Sequence, residues 1–162
     1  MGDHEPSFGF LSEMTPVAKS FRCRLVTPTA SLVDEQVVYA SIPAWDGLMG
    51  VLPGRAPILA RLGLGELKLD FADSAKGAGG SRTFVVDGGF LRMAGDSLTL
   101  LAERAFAAES ITASEVEAEM KQIDARQLPA AGGERAAALD KQRHDKALAE
   151  LKLKTARALK GI

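Results

Sequence analysis

Between Asp46 and Pro57 the chain carries three glycines and two prolines in twelve residues, yet Leu48, Met49, Val51 and Leu52 are apolar. A helix does not tolerate that punctuation, and a flexible linker would be polar. What fits is a short strand between two tight turns, Asp46-Gly47 before it and Pro53-Gly54 after it. The first turn leaves Trp45 and Leu48 at a loop tip. Two readings fit such a tip: an apolar surface kept for a partner, or a tight corner packed on its own core.

The surrounding sequence keeps the period of a strand. Phe21, Cys23 and Leu25 alternate with Arg22 and Arg24, and Leu67, Leu69 and Phe71 alternate with Lys68 and Asp70. Val37–Ile42, closed by Pro43, and Ile58–Leu62 are further β-rich runs. Ala72–Ser81 reads as a solvated hairpin loop, and Thr83–Val86 as the returning strand. Asp87-Gly-Gly89 reads as a turn into Phe90–Met93, and Gly95-Asp96 as a turn into Ser97–Leu101. Short strands with turn signals this frequent predict an antiparallel sandwich or barrel over residues 21–106. Residues 1–20, with Gly2, Pro6, Gly9 and Pro16, read as a loosely held extension in which Phe8, Phe10 and Leu11 are the apolar side chains.

From residue 107 the composition turns to Ala, Glu, Lys, Arg and Leu. Thr112-Ala-Ser-Glu115 is a capping box. Val116, Met120 and Ile123 form a narrow helical stripe, and Pro129 and Gly132-Gly133 stop that helix after Leu128. A second helix follows from about Glu134 to Leu159, with Leu148, Leu151 and Leu159 on or near its apolar face. The net charge is −3 over residues 107–128 and +4 over 129–162, so an acidic helix runs antiparallel to a basic one. Such thin stripes gain little from self-packing at about 25 cal/mol per Å². The hairpin must therefore lean on the β domain or on a partner. The predicted class is α+β, mainly β: a sandwich followed by a helical hairpin over residues 107–162.

At 162 residues, with 46% hydrophobic content, the chain suits one compact domain, or one plus a small appendage. No apolar run approaches the roughly 20 residues of a membrane span, and no basic segment precedes an apolar core as in a signal peptide. The net charge of −1 argues against nucleic acid as the main partner. Cys23 is the single cysteine and is expected as a buried, inert thiol in a reducing compartment. His4 and His144 read as solvated, Glu103 and Arg104 as a solvated pair. No cluster has metal-ligand spacing, no phosphate-binding glycine motif follows a strand, and an enzyme is not expected.

Two stretches, in this order and ahead of such a hairpin, resemble the epsilon subunit of the F-type ATP synthase. Gly47-Leu-Met-Gly-Val-Leu-Pro-Gly-Arg-Ala-Pro-Ile58 is similar to that family's G-x-L-G-h-x-P-G-H-A-P-h segment. Phe84–Met93 through Leu98–Glu103 is similar to its h-x-x-G-G-h-h-x-h … h-T-V-L-A strand pair. The resemblance implies a non-catalytic subunit of the rotating central stalk, peripheral on the cytoplasmic face of the bacterial plasma membrane and held there only through the complex. Its implied partners are the gamma subunit, the c-ring and the catalytic alpha and beta subunits. Carried over, the c-ring contact falls on Trp45, Asp46, Gly47 and Leu48, and the gamma contact on Arg55, where the family often has His. The hairpin would restrain ATP hydrolysis through Arg135, Lys141, Arg143, Lys146, Lys152, Lys154 and Arg157, with Lys160 beside them. Some members bind ATP through [I/L]-D-x-x-R-A at the start of the first helix. Here Thr112 and Glu115 replace the acid and the arginine, so no cofactor or ATP site is expected. The alternative is a free-standing β-sandwich adaptor whose hairpin covers a sheet face; a small-molecule module finds no support in the motifs.

Overall fold

The computed structural model describes residues 19–73 and 79–161. The extension over residues 1–18, with His4 and its aromatics, and residues 74–78 of the expected hairpin loop lie outside the described residues. Seven strands, β1 (Phe21–Val26), β2 (Ser31–Ala44), β3 (Gly47–Val51), β4 (Ile58–Arg61), β5 (Leu64–Phe71), β6 (Ser81–Ala94) and β7 (Ser97–Ala107), precede two helices, α1 (Ala113–Asp124) and α2 (Gly133–Leu159).

The strands run in the order β1-β7-β6-β5-β2, and β2 pairs back onto β1, closing a flattened barrel. Strand β3 extends from β2 and β4 from β6. Every pair is antiparallel except β1 with β7, which the sequence reading did not foresee. No tight turn joins those two strands, so nothing local fixes their direction. The alternation in β1 puts Phe21, Cys23 and Leu25 inside, where they meet Ile42, Leu67, Leu69, Leu91, Met93, Leu98 and Leu100 in one dry core. Burial pushes the Cys23 thiol up to about 12, with Asp34 adding to the shift, so the thiol is protonated and inert as expected.

Two expected breaks are not breaks. Strand β2 runs through Pro43, which faces Leu48 across the β2–β3 hairpin. Pairing of β2 with β5 ends at Ser41 opposite Lys68, so the N–H that proline lacks costs no bond of that ladder. Likewise, Asp87-Gly88-Gly89 does not turn the chain. It lies inside β6, where the strand leaves β5 at Asp87 and takes up β4 at Phe90 while β7 follows along its other edge. Gly88 and Gly89 have φ of 69° and 116°, and a Cβ on Gly89 would sit 2.0 Å from the Leu101 carbonyl oxygen. The pair is a bend that lets one strand serve both layers.

The hairpin lies on the barrel rather than apart from it. Phe84 and Val86 of β6 enter the main core, while Val85 points the other way into a second cluster with Ile111, Val116, Ile123, Leu148, Ala149 and Ala156. Leu159 is exposed and contributes nothing to that cluster. Thr112 holds the N-cap position of α1 with extended backbone, but its side chain makes no capping hydrogen bond, contrary to the expected box. Helix α1 also stops at Asp124, four residues before Leu128. Arg126 there turns away to pair with Asp145 of α2 at 2.7 Å, and the Gln142 amide donates to the Ile123 carbonyl at 2.7 Å.

Because φ at Gly89 is positive and its Cβ direction is filled by backbone, Gly89→Ala should destabilise the barrel by about 2 kcal/mol or more, read from chemical denaturation. Leu148→Ala should cost about 2–4 kcal/mol of packing and increase hydrogen exchange in α2 before β1 responds.

Candidate interaction surfaces

The two-residue turn Trp45-Asp46 joins β2 to β3, with Ala44 paired to Gly47 across it. Its frame is well tied: Trp45 N donates to the Arg61 carbonyl at 3.1 Å and Gly63 N to the Pro43 carbonyl at 2.8 Å. The side chains at the tip find no core. Trp45 is 68% exposed and Leu48 75% exposed, which decides against the packed corner. The second turn closes as expected, with Arg55 N donating to the Leu52 carbonyl and Gly54 at φ 82° in the third position. The Arg55 guanidinium reaches back to the Gly50 carbonyl at 3.3 Å and is otherwise exposed.

A second apolar surface was not anticipated. Leu59, Phe90 and Leu101 are 73%, 52% and 55% exposed on the outer face of β4, β6 and β7, where Phe90 and Leu101 stand directly opposite each other. Val26, Thr27 and Pro28 border the groove beside them. A signal existed: Phe90-Leu91 and Leu100-Leu101 are adjacent apolar pairs, and a strand cannot turn both members of such a pair inward.

The hairpin explains the split in charge. Glu117 pairs with Arg157 at 3.3 Å, Glu119 with Lys152 at 3.1 Å, Asp124 with Lys146 at 2.9 Å, and Arg126 with Asp145 at 2.7 Å. The acidic helix thus neutralises the basic one along their antiparallel contact. Lys152 is buried, its ammonium 4.1 Å from the centre of the Phe106 ring. Of the expected basic contact residues, Lys152, Lys146 and Arg157 are therefore committed within the hairpin. Arg135, Lys141, Arg143 and Lys154 are exposed. Of these, Arg135 caps the Ala130 carbonyl at 2.8 Å, and Arg143 lies 3.9 Å from Asp140.

Beside the apolar cluster around Val85, α2 meets the barrel through polar contacts. Asp87 is buried; its Oδ2 accepts from Arg104 Nε at 2.8 Å, and its Oδ1 lies 2.8 Å from His144 Nε2. His144, Glu103 and Arg104 are exposed as expected, but Arg104 turns to Asp87 rather than to its neighbour Glu103, and His144 meets the same carboxylate. The sequence did not show these contacts because the partners lie far apart along the chain. Arg104 also approaches Asp145 at 3.7 Å, and the Thr155 hydroxyl donates to Glu66 at 2.7 Å. The Arg126 guanidinium, with Arg104 and Lys141 further off, holds the Asp145 carboxyl below the usual carboxylate range against a partial burial cost. Among the described residues no helix is long and apolar enough to cross a membrane.

Residues 20–108 match the family described as ATP synthase, Delta/Epsilon chain, beta-sandwich domain. The ATP synthase epsilon chain of Solibacter usitatus is 38% identical over 116 residues, 71% of this chain and 82% of that one. That of Rhodopirellula baltica is 37% identical over 86 residues, 53% of this chain and 62% of that relative, so under two thirds of its length is spanned. A chain in the cryo-EM structure of the Euglena gracilis mitochondrial ATP synthase, OSCP/F1/c-ring in rotational state 1, shares the fold. It superposes with a TM-score of 0.62 and 19% identity over 93% of this chain and 89% of its own. With more than half of its residues inside the family domain, and most of a named relative spanned, the chain belongs to the delta/epsilon chain family of ATP synthases.

Proposed function

We propose that this chain is the epsilon subunit of an F-type proton-translocating ATP synthase. It is a non-catalytic element of the central stalk that passes c-ring rotation to the catalytic head and restrains ATP hydrolysis through its hairpin. The observation that carries the proposal furthest is the exposed apolar tip at Trp45 and Leu48, built on a frame tied to β4. With Asp46 and Gly47 it forms the c-ring contact. Arg55, at the neighbouring turn, is the gamma contact, and the apolar face of Leu59, Phe90 and Leu101 gives gamma a surface to bury. The chain is peripheral on the cytoplasmic face of the bacterial plasma membrane and held there through the assembly alone. Residues 21–106 form the docking domain and 107–162 the regulatory hairpin.

In the docked hairpin Arg135, Lys141, Arg143 and Lys154 face outward, Lys146 and Arg157 are partly exposed but paired across the hairpin, and Lys152 is enclosed. Engaging the whole basic set on the catalytic subunits therefore requires the hairpin to open, not merely to be present. The adaptor reading draws on one observation, that the hairpin covers Val85 of β6 completely. A tagged full-length chain used to recover partners from solubilised native membranes separates the two. Recovery of catalytic subunits, gamma and c-ring is expected, and recovery of none from a folded bait would leave the adaptor.

Leu48→Asp should leave the barrel folded, since the side chain touches no core, and uncouple proton flow from ATP turnover in the complex; unchanged coupling would remove the tip from the c-ring contact. Deleting residues 113–162 spares β7 and should raise ATP hydrolysis by the assembled complex. Unchanged hydrolysis from a complex that retains the shortened, folded chain would count against a restraining hairpin.

A further inference from the structure

We propose that the acidic, apolar segment ahead of β1 folds back over the outer face of β1, β7, β6 and β4 and covers it until a partner takes its place. Register lays that face out in two rows. Val26, Leu101, Phe90 and Arg61 stand side by side in one, and Arg24, Thr99, Arg92 and Leu59 in the next. The apolar side chains form one patch, and exposed arginines from β1, β6 and β4 border it. Arg24 lies 3.9 Å from Asp34, and among the described residues Arg61 and Arg92 pair with no carboxylate. Glu103 is the acid that borders the groove, at the end beside Ala102. An exposed apolar patch marks a surface that something covers, and these arginines require the cover to bring carboxylates.

The chain supplies such a group itself. Asp3 and Glu5, then Phe8, Phe10 and Leu11, then Glu13 place an apolar centre between acids, the counterpart of the face. Three acids against Lys19 give residues 1–20 a net charge of −2. The segment also joins the barrel within reach of the patch. It enters β1 at Phe21, and Arg22 N donates to the Asp96 carbonyl beside the start of β7. From Arg22 the apolar row at Val26 is four residues along β1, roughly 13 Å at the rise of a strand. Leu11 precedes Phe21 by ten residues, which span up to about 33 Å. Phe8–Leu11 can therefore lie over Phe90 and Leu101 with chain to spare. A second copy or a foreign protein must be captured from solution, whereas a tethered segment is always present at high effective concentration. The contact lies within the chain and needs no complex. Only its consequence rests on the proposed function: gamma, burying the same face, must displace the segment, so the free chain keeps its docking face covered until assembly.

The test places a nitroxide on Ser7→Cys in the isolated full-length chain and reads the amide signals of the barrel. Cys23 is buried, so the new thiol alone takes the label. Signals of Phe90–Arg92 and Thr99–Leu101 should broaden, and those of Ser41 and Lys68, where β2 meets β5, should not. Adding Glu5→Lys and Glu13→Lys, both outside the barrel strands, should cut the broadening about two- to five-fold, the range for exposed ion pairs. Arg61→Glu with Arg92→Glu should do the same from the other side. No excess broadening on that face, or broadening that both charge reversals leave unchanged, overturns the proposal. Broadening that persists when the label and the observed amides sit on separate, mixed chains assigns the face to a second copy and also overturns it. No partner subunit is involved, so this outcome is independent of whether membranes yield an ATP synthase.

Discussion

Strand β6 carries more of this structure than any other element because it is hydrogen-bonded along both edges over most of its length. Its first half pairs with β5, its second with β4, and β7 follows it from Phe84 to Ala94. Exchanging one partner for another without ending the strand requires a bend, and Gly88-Gly89 supplies it, with both φ angles positive and a side chain at Gly89 striking the β7 backbone. The bend also places its immediate neighbours. Asp87, just before it, is turned toward α2, and Phe90, just after it, is turned outward on the apolar face. Both surfaces thus take their position from two residues that contribute no side chain to either.

The barrel and the hairpin are held by different physics. The main core is continuous and dry, and its large side chains, Phe21, Ile42, Leu67, Leu91 and Leu98 among them, are closed off from water on all sides. The seam under the hairpin has a small apolar cluster and then a series of charged pairs. Partly exposed ion pairs each contribute only about 0–1 kcal/mol, and a burial cost offsets much of that where one partner is enclosed, as at Lys152 and Asp87. Polar contacts are also nearly replaceable by water or by another protein's polar surface. A hairpin attached this way is ordered when docked and loses little when it exchanges partners, whereas opening the barrel would expose its entire core.

How much of this was legible in the sequence follows the range of the interactions. Alternation located β1 and β5, and the glycine and proline punctuation the tip of the β2–β3 hairpin, because each depends on residues close in the chain. The thin stripes on α1 and α2, set against their opposite charges, told that the hairpin is antiparallel and leans on something. The misreadings share a cause. Asp87-Gly-Gly89 looked like a turn because local conformation favours one there, and only the presence of three partner strands makes it a bend. His144 sits 57 residues from Asp87, and no periodicity connects them. Thr112-Ala-Ser-Glu115 has the composition of a capping box, yet the Thr112 side chain leaves the cap unmade while its backbone begins the helix as expected.

The exposed tip shows why apolar residues outside a core need not be a defect. Trp45 lies on a two-residue turn and Leu48 just after it in β3, and the β2 side of that hairpin is bound by the chain around Arg61 and Gly63. An apolar group on a mobile loop would give up conformational entropy on meeting a partner; one on a braced hairpin has already lost it during folding. The same holds at the outer face, where Phe90 and Leu101 are fixed by the ladder between β6 and β7. Both surfaces are therefore rigid before any partner meets them. The hairpin is held by charged pairs that water or another polar surface can replace. In the proposed stalk role this division separates a fixed contact from an exchangeable one. It arises here from where the glycines, the adjacent apolar pairs and the opposed charges fall along one chain.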